Sequence, residues 1–197
     1  MTLVRFVALA LFSAAVSAQP APTTRLRGSI EKVDAASIVI KERNGETMTL
    51  AIADDLRVAE VMPVDPKTIQ SGTYVGTAAI AGADGKLSAL EVLVFPEAMR
   101  GTGEGHSQWD LQPGSTMTNA TVSEVVPGAK GREMTLRYKD GEKTIIVPEG
   151  IPVVTLKPAD RSLLVPGAKV LVSAQVRNGT PTALRVTAGR NGFAPPM

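Results

Sequence analysis

One spacing pattern occurs twice in this chain, and few folds accommodate it. Residues 63–72 read PVDPKTIQSG and residues 158–167 read PADRSLLVPG, both P-x-D-x-x-x-[I/L]-x-x-G. Further on, GKLSALEV (85–92) and GTPTALRV (179–186) share G-x-x-x-A-L-x-V. Ile30 aligns with Val122, Gly45 with Gly141, Gly72 with Gly167 and Gly85 with Gly179, at shifts of 92, 96, 95 and 94. Turn residues alone can supply one such match. An ordered series across both halves implies an internal repeat, each half a supersecondary unit of the same kind.

The unit is made of strands. Leu26, Gly28 and Ile30 alternate with Arg27, Ser29 and Glu31, the period-2 pattern of a half-buried strand. The next apolar residue is Val33, three positions on, and Val122 is likewise followed by Val125, so both first strands are expected to bend at a bulge. Ile38 and Ile40 open a second strand, Asn44-Gly45 is a hairpin signal, and Thr47 to Ile52 returns as a third. Ala53 to Ser71 shows no clean period. Within it Asp65-Pro66 suits the start of a short helical turn, Asp as N-cap and Pro at the first position, and Asp160 matches it. Fourth and fifth strands follow, joined at Asp84-Gly85 in the first half and Asn178-Gly179 in the second; Asp140-Gly141 is the second half's earlier hairpin turn.

Five short strands with a helical turn between the third and fourth is the order of an OB-type small barrel. The expected architecture is all-β: two tandem five-stranded OB-like barrels at 25–95 and 119–188, joined by an ordered connector at 96–118. Two small sandwiches, or one continuous sandwich, are the alternative. The tail 189–197 (GRNGFAPPM) reads as an extended, poorly ordered end.

Residues 1–18 have the form of a signal peptide. Arg5 precedes an apolar run from Phe6 to Val16, and Val16-Ser17-Ala18 sets small residues at −3 and −1 for cleavage after Ala18. The run is short for a membrane span, and no later segment reaches eighteen consecutive apolar residues. Cysteine is absent, so neither disulfides nor a lipidated cysteine is expected. A periplasmic address follows, without a membrane span. With 21 Lys+Arg, one of them Arg5, against 19 Asp+Glu, the chain shows no basic stripe, and aromatics are 4% of it. Nucleic-acid binding, which needs clustered cations and stacking platforms, is set aside.

The connector, FPEAMRGTGEGHSQWDLQPGSTMT (95–118), holds the single histidine, His106, and the single tryptophan, Trp109. Trp109 is expected to be substantially buried. Arg100, Gly101, Gly103, Gly105 and Trp109 are the candidates for a ligand or partner contact. Gly101, Gly103 and Gly105 alternate, but RGTGEG lacks the Lys-Ser/Thr of a phosphate loop and does not match G-x-G-x-x-G. A nest of amides for an anion and simple tight turning are the two readings of it. For a metal, His106 combines with Glu104 and Asp110 as hard ligands suited to zinc, or with Met99 and Met117 as soft ligands suited to copper. No repeated ligand spacing accompanies them. Otherwise Trp109 and Leu111 pack the connector between the barrels while His106 and Asp110 hydrogen-bond loop backbone.

An enzyme needs a nucleophile, base or metal in a constellation. There is no G-x-S-x-G elbow and no thiol; His106, Ser107 and Asp110 are adjacent in sequence, which is a poor proxy for a triad assembled in space. Glu97, Glu104 and Asp110 lie near one another, as a carboxylate pair for hydrolysis requires, but such residues serve equally well as loop caps.

The repeated G-x-I/V-x-x-V strand, the NG and DG hairpins, L-x-x-G-x-x-V and DG-x-x-x-A-x-x-V together resemble a bacterial family of exported small barrels classed as a domain of unknown function, here as a tandem repeat. The resemblance covers most of the chain beyond the leader. It implies an OB-like fold and an envelope location, and it carries over no catalytic residues. A similar FPE-x-MRGTGEGH-x-x-WDL connector goes with a metal-transport permease label, from which this chain departs by having no membrane spans. In its ingredients it is also similar to the periplasmic copper and silver chaperones, but those place their ligands on barrel strands. The expected function is non-enzymatic binding in the periplasm, without a cofactor, of a peptide, a glycan or an envelope-protein partner. The alternative is a metal-binding accessory protein using copper or zinc.

Overall fold

A computed structural model of the chain describes residues 22–129 and 131–197. The leader and the expected cleavage after Ala18 lie outside the described residues. Within them the protein is all-β, with twelve strands and three single 3-10 turns. The strands are β1 (Thr24–Val33), β2 (Ser37–Glu42), β3 (Thr47–Pro63), β4 (Tyr74–Ala81), β5 (Leu87–Val94) and β6 (Gly105–Gln108). They continue as β7 (Ser115–Gly128), β8 (Gly131–Tyr138), β9 (Gly141–Val147), β10 (Val153–Ala159), β11 (Lys169–Arg177) and β12 (Thr180–Ala188).

The local expectations hold in detail. β1 shifts register between Ile30 and Lys32, and β7 between Val122 and Glu124. Asp65 accepts from the Lys67 amide at 2.8 Å to start the turn Pro66–Thr68, and Asp160 accepts from the Ser162 amide at 2.8 Å to start Arg161–Leu163. Gly45, Gly85 and Gly179 have φ of 92°, 76° and 79°, the left-handed backbone their hairpins need. One turn differs. Tyr138 pairs with Gly141, so Lys139-Asp140 forms the reversal and Gly141 already belongs to β9.

The pairing of strands does not follow the expected grouping. β1 pairs with β2, β2 with β3, β3 in parallel with β12, β12 with β11, and β11 with β1, closing a five-stranded barrel. Its first three strands come from the first half of the chain and its last two from the second. A reciprocal ring runs β7-β8-β9-β5-β4 and back to β7, its β9–β5 contact made by two residue pairs. The halves have thus exchanged their final hairpins. Segments 25–95 and 119–188 are not two self-contained barrels. The exchange extends to single bonds. Gly72 donates to Val122 at 2.8 Å, across to the other half, and Gly167 donates to Ile30 at 2.8 Å.

The stretch that showed no period explains how the crossing is made. β3 does not stop at Ile52 but continues to Pro63, and β10 occupies residues read as irregular. The two run antiparallel as crossing arms, Val154 opposite Pro63 through Ala159 opposite Val58. Each arm is also held on its other side, β3 by β12 and β10 by β5. Their sequences hide the period because both faces are partly covered.

Three cores result. One fills the β1-β2-β3-β12-β11 barrel with Ile30, Ile38, Ile40, Leu50, Val172 and Val186 among others. A second fills the other ring with Val75, Val92, Val122, Met134, Leu136 and Ile145. A third, around Val61, Leu93, Val154 and Leu171, is the seam between them. The tail is not a loose end: Met197 is buried in this seam, Phe193 packs on it, and Arg27 Nε donates to the Met197 carbonyl at 3.0 Å. Apolar Phe, Pro and Met outweigh the cost of ordering the end, each large side chain so buried contributing about 1.5–3 kcal/mol.

Candidate functional site

The connector leaves β5 through a 3-10 turn (Glu97–Met99), reverses at Gly101 and Gly103, and returns as β6 against β7. β6 occupies the edge of β7 at Thr116–Asn119, where β8 has not yet begun to pair. Arg100 forks onto Glu97, with bonds of 2.6 and 2.8 Å, and donates to the Gly72 carbonyl at 3.0 Å. That bond holds the Glu97 carboxyl below its ordinary value. Gly101, Gly103 and Gly105 have φ of 83°, 59° and 131°. At Gly103 a Cβ would come within 2.9 Å of Asn119 Nδ2, so the turn is glycine for space as well as for conformation.

Trp109 is half-buried, against the expectation of substantial burial. Its backbone N–H donates to Ser115 at 2.8 Å, and Arg25 lies over its ring at 4.0 Å from the centroid, with Arg27 at 5.9 Å. Asp110 binds Arg27 at 2.7 Å and Arg25 at 3.4 Å. Burial pushes the Asp110 carboxyl up, but the hydrogen bond and charge of Arg27, reinforced by Arg25, outweigh it and leave it below the usual aspartate range. The connector therefore clamps β1 of one barrel to β7 of the other ring. Asp110 acts on side chains rather than on loop backbone.

The five candidate metal ligands do not converge. His106 Nδ1 lies 2.8 Å from the hydroxyl of buried Thr118. Burial, with Lys143 adding to it, holds the His106 imidazole below its ordinary value. Glu104 accepts from the Lys139 amide at 3.1 Å, and Asp110 is taken by the two arginines. Met117 stands opposite Ser107 in the β6–β7 ladder, one position from the His106–Thr118 pair, and so projects to the other face. Met99 faces the crossing arms. Among the described residues no group of three or more His, Cys, Asp and Glu side chains is placed to hold an ion.

Two features lay outside the sequence reading. The first is Glu91 on β5, fully buried, with Oε1 accepting from the Ala78 amide at 3.1 Å and Oε2 without a partner. Burial pushes its carboxyl up to about 8, against a smaller opposing pull from the Ala78 amide. The second is a groove of about 400 Å3 where β12, β3 and β10 lie side by side. Leu56, Met99, Leu156 and Pro158 form its apolar wall, and Arg57, Lys157 and Arg185 supply charge. Met99 is the connector's contribution. A sequence signal existed for both: the matched segments ALEV and ALRV differ at one position, which is Glu91 in one and Arg185 in the other.

Comparison of the chain with family models, with curated proteins and with solved structures gives no match in any of the three.

Proposed function

We propose that the protein is a non-enzymatic binding protein of the periplasm. On this reading its body is two OB-like barrels, related as internal repeats, that exchange their last hairpins, and its binding face is the groove along the crossing arms. The ring order of first, second, third, last and next-to-last strand, with a parallel contact between third and last, supports the OB assignment. The observation that carries the binding reading is the groove itself, open, mainly apolar, and edged by cations with no partner among the described residues. Concave apolar surface with a few placed polar groups is the usual form of a ligand site. The leader motif supports the address.

The engagement of His106 with Thr118, and of Asp110 with Arg25 and Arg27, supports binding over catalysis, because both groups are already committed to structure. A photoreactive amino acid at Leu156, in cells, is expected to give a discrete adduct of fixed size that the same substitution at Lys86, on a distant hairpin turn, does not. Equal adducts at both positions would remove the groove from consideration. The periplasmic fraction should contain the chain beginning at Gln19.

A further inference from the structure

Arg57 and Arg185 stand directly opposite one another in the parallel ladder of β3 and β12, and so share one face. Like charges directly opposite on a sheet destabilise it. Acids lie nearby, but they are engaged elsewhere: Asp55 with Arg177 at 3.2 Å and Glu60 with Arg190 at 3.0 Å. Among the described residues neither the Arg57 nor the Arg185 side chain makes an ion pair or a hydrogen bond. The groove lining contains no carboxylate. Nothing in the fold's own stability requires this arrangement.

We infer that the groove takes an extended acidic peptide segment of a partner protein, which seats a carboxylate between Arg57 and Arg185 and an apolar side chain against Leu156 and Pro158. This rests on the binding reading above and names the chemistry of the ligand. A guanidinium presents a planar fork that matches a carboxylate in two bonds, and two forks side by side converge on one anion. Three strands abreast span roughly 10 Å, which matches three or four residues of extended chain. Alternate residues of such a segment face the same way, so acid and apolar side chains at alternate positions meet the cations and the wall together. A charged membrane surface would use the cations but has no need of a recessed apolar wall. Residues 1–21 of this chain contain no Asp or Glu, so they do not supply the anion.

The test uses the full exported chain and a fluorescein-labelled hexapeptide alternating Glu with Leu, read by anisotropy. The R57A/R185A double variant should weaken binding by at least about tenfold. Leu156→Ser should weaken it by about threefold or more. Raising salt from about 50 to about 300 mM should weaken it further, since the cations are exposed. Lys86→Ala should leave it unchanged; R57A/R185A should unfold at or above the parent's midpoint, and Leu156→Ser, which trims the seam, somewhat below it but still as one cooperative transition. A peptide with Gln in place of Glu that binds equally tightly, still sensitive to Leu156→Ser, would overturn the acidic ligand and leave the groove as a binding site. Binding to phosphatidylglycerol vesicles, lost in the double variant, with no peptide binding, would overturn the peptide in favour of a lipid surface. No binding by any probe, together with no adduct at Leu156, would remove both readings.

Discussion

The last strands of the two rings carry opposite charges at the same step of a shared motif. In Ala89-Leu90-Glu91-Val92 the charged residue is sealed inside the molecule; in Ala183-Leu184-Arg185-Val186 it lines an open groove. Both lie beside a valine in the core of its ring, Val92 and Val186. What differs is the crossing strand alongside. Arg185 faces Arg57, whereas beside Glu91 the Val92 amide donates to the Pro152 carbonyl at 2.9 Å, where no charged side chain stands opposite. The same step of the motif thus presents a solvated cation in one ring and an orphan acid in the other.

A second contrast lies at matched positions on the first strands. Leu26 pairs with Val172 across β1 and β11, both buried and apolar. Thr118 pairs with Thr77 across β7 and β4, both buried and polar, with His106 on the Thr118 hydroxyl and the Thr77 hydroxyl donating to the Glu91 carbonyl at 2.7 Å. One barrel closes on hydrocarbon. The other closes on a hydrogen-bonded row that needs β6 to complete it.

The largest effect expected from these contrasts is at Glu91. Its folded value near 8 lies above the unfolded 4.5, so the folded state binds the extra proton between those limits. Its contribution to stability is full below about 4.5 and lost as pH rises through about 8, a swing on the order of 5 kcal/mol. Urea midpoints at pH 5 and pH 9 should fall apart in the parent and converge in Glu91→Gln. Equal slopes in the two proteins would mean that water reaches the carboxyl.

Exchanging the closures comes next. Leu26→Thr should cost roughly 2–4 kcal/mol, from lost packing plus a hydroxyl with no partner. Thr118→Val, nearly the same volume, should cost only about 1 kcal/mol, the net value of one hydrogen bond. Chemical denaturation of both variants checks the asymmetry, and a Thr118→Val cost as large as that of Leu26→Thr would show that the polar row is coupled well beyond one hydrogen bond. Trp109→Ala should cost about 1–2 kcal/mol, well under the figure for a sealed indole, because the ring is half-covered and stacked on an arginine. Its emission should shift to the red on unfolding.

The smallest effect is at His106. Burial lowers its value, so the neutral ring is the folded form and stability should decline as pH falls below about 6.5. An NMR titration should place its midpoint under that value. His106→Ala should cost less than about 1 kcal/mol and leave zinc and copper content unchanged at background. A stoichiometric metal lost in the variant would reverse the placement of His106 as a packing residue.

Everything governed by a few adjacent residues could be read from the chain alone. The β1 and β7 bulges, the glycine hairpins and the Asp65 and Asp160 caps depend on backbone conformation and on bonds two or three residues long, and they occur where expected. Tight turning in the connector was legible too, in its alternating glycines, but neither the seating of Gly103 against Asn119 nor the half-burial of Trp109 was. Which edge each final hairpin joins was not. The matched hairpin signals are the same in both halves, so no short pattern distinguishes one edge from the other. The choice falls to the crossing arms. β3 runs on through Pro63 into an antiparallel ladder with β10, and that long-range contact carries each hairpin past its own barrel into its neighbour's. The Arg57–Arg185 groove exists only because of that crossing, since it brings together residues from opposite ends of the chain. A pairing between near-equivalent partners is decided by the sum of distant contacts, and no local pattern encodes that sum.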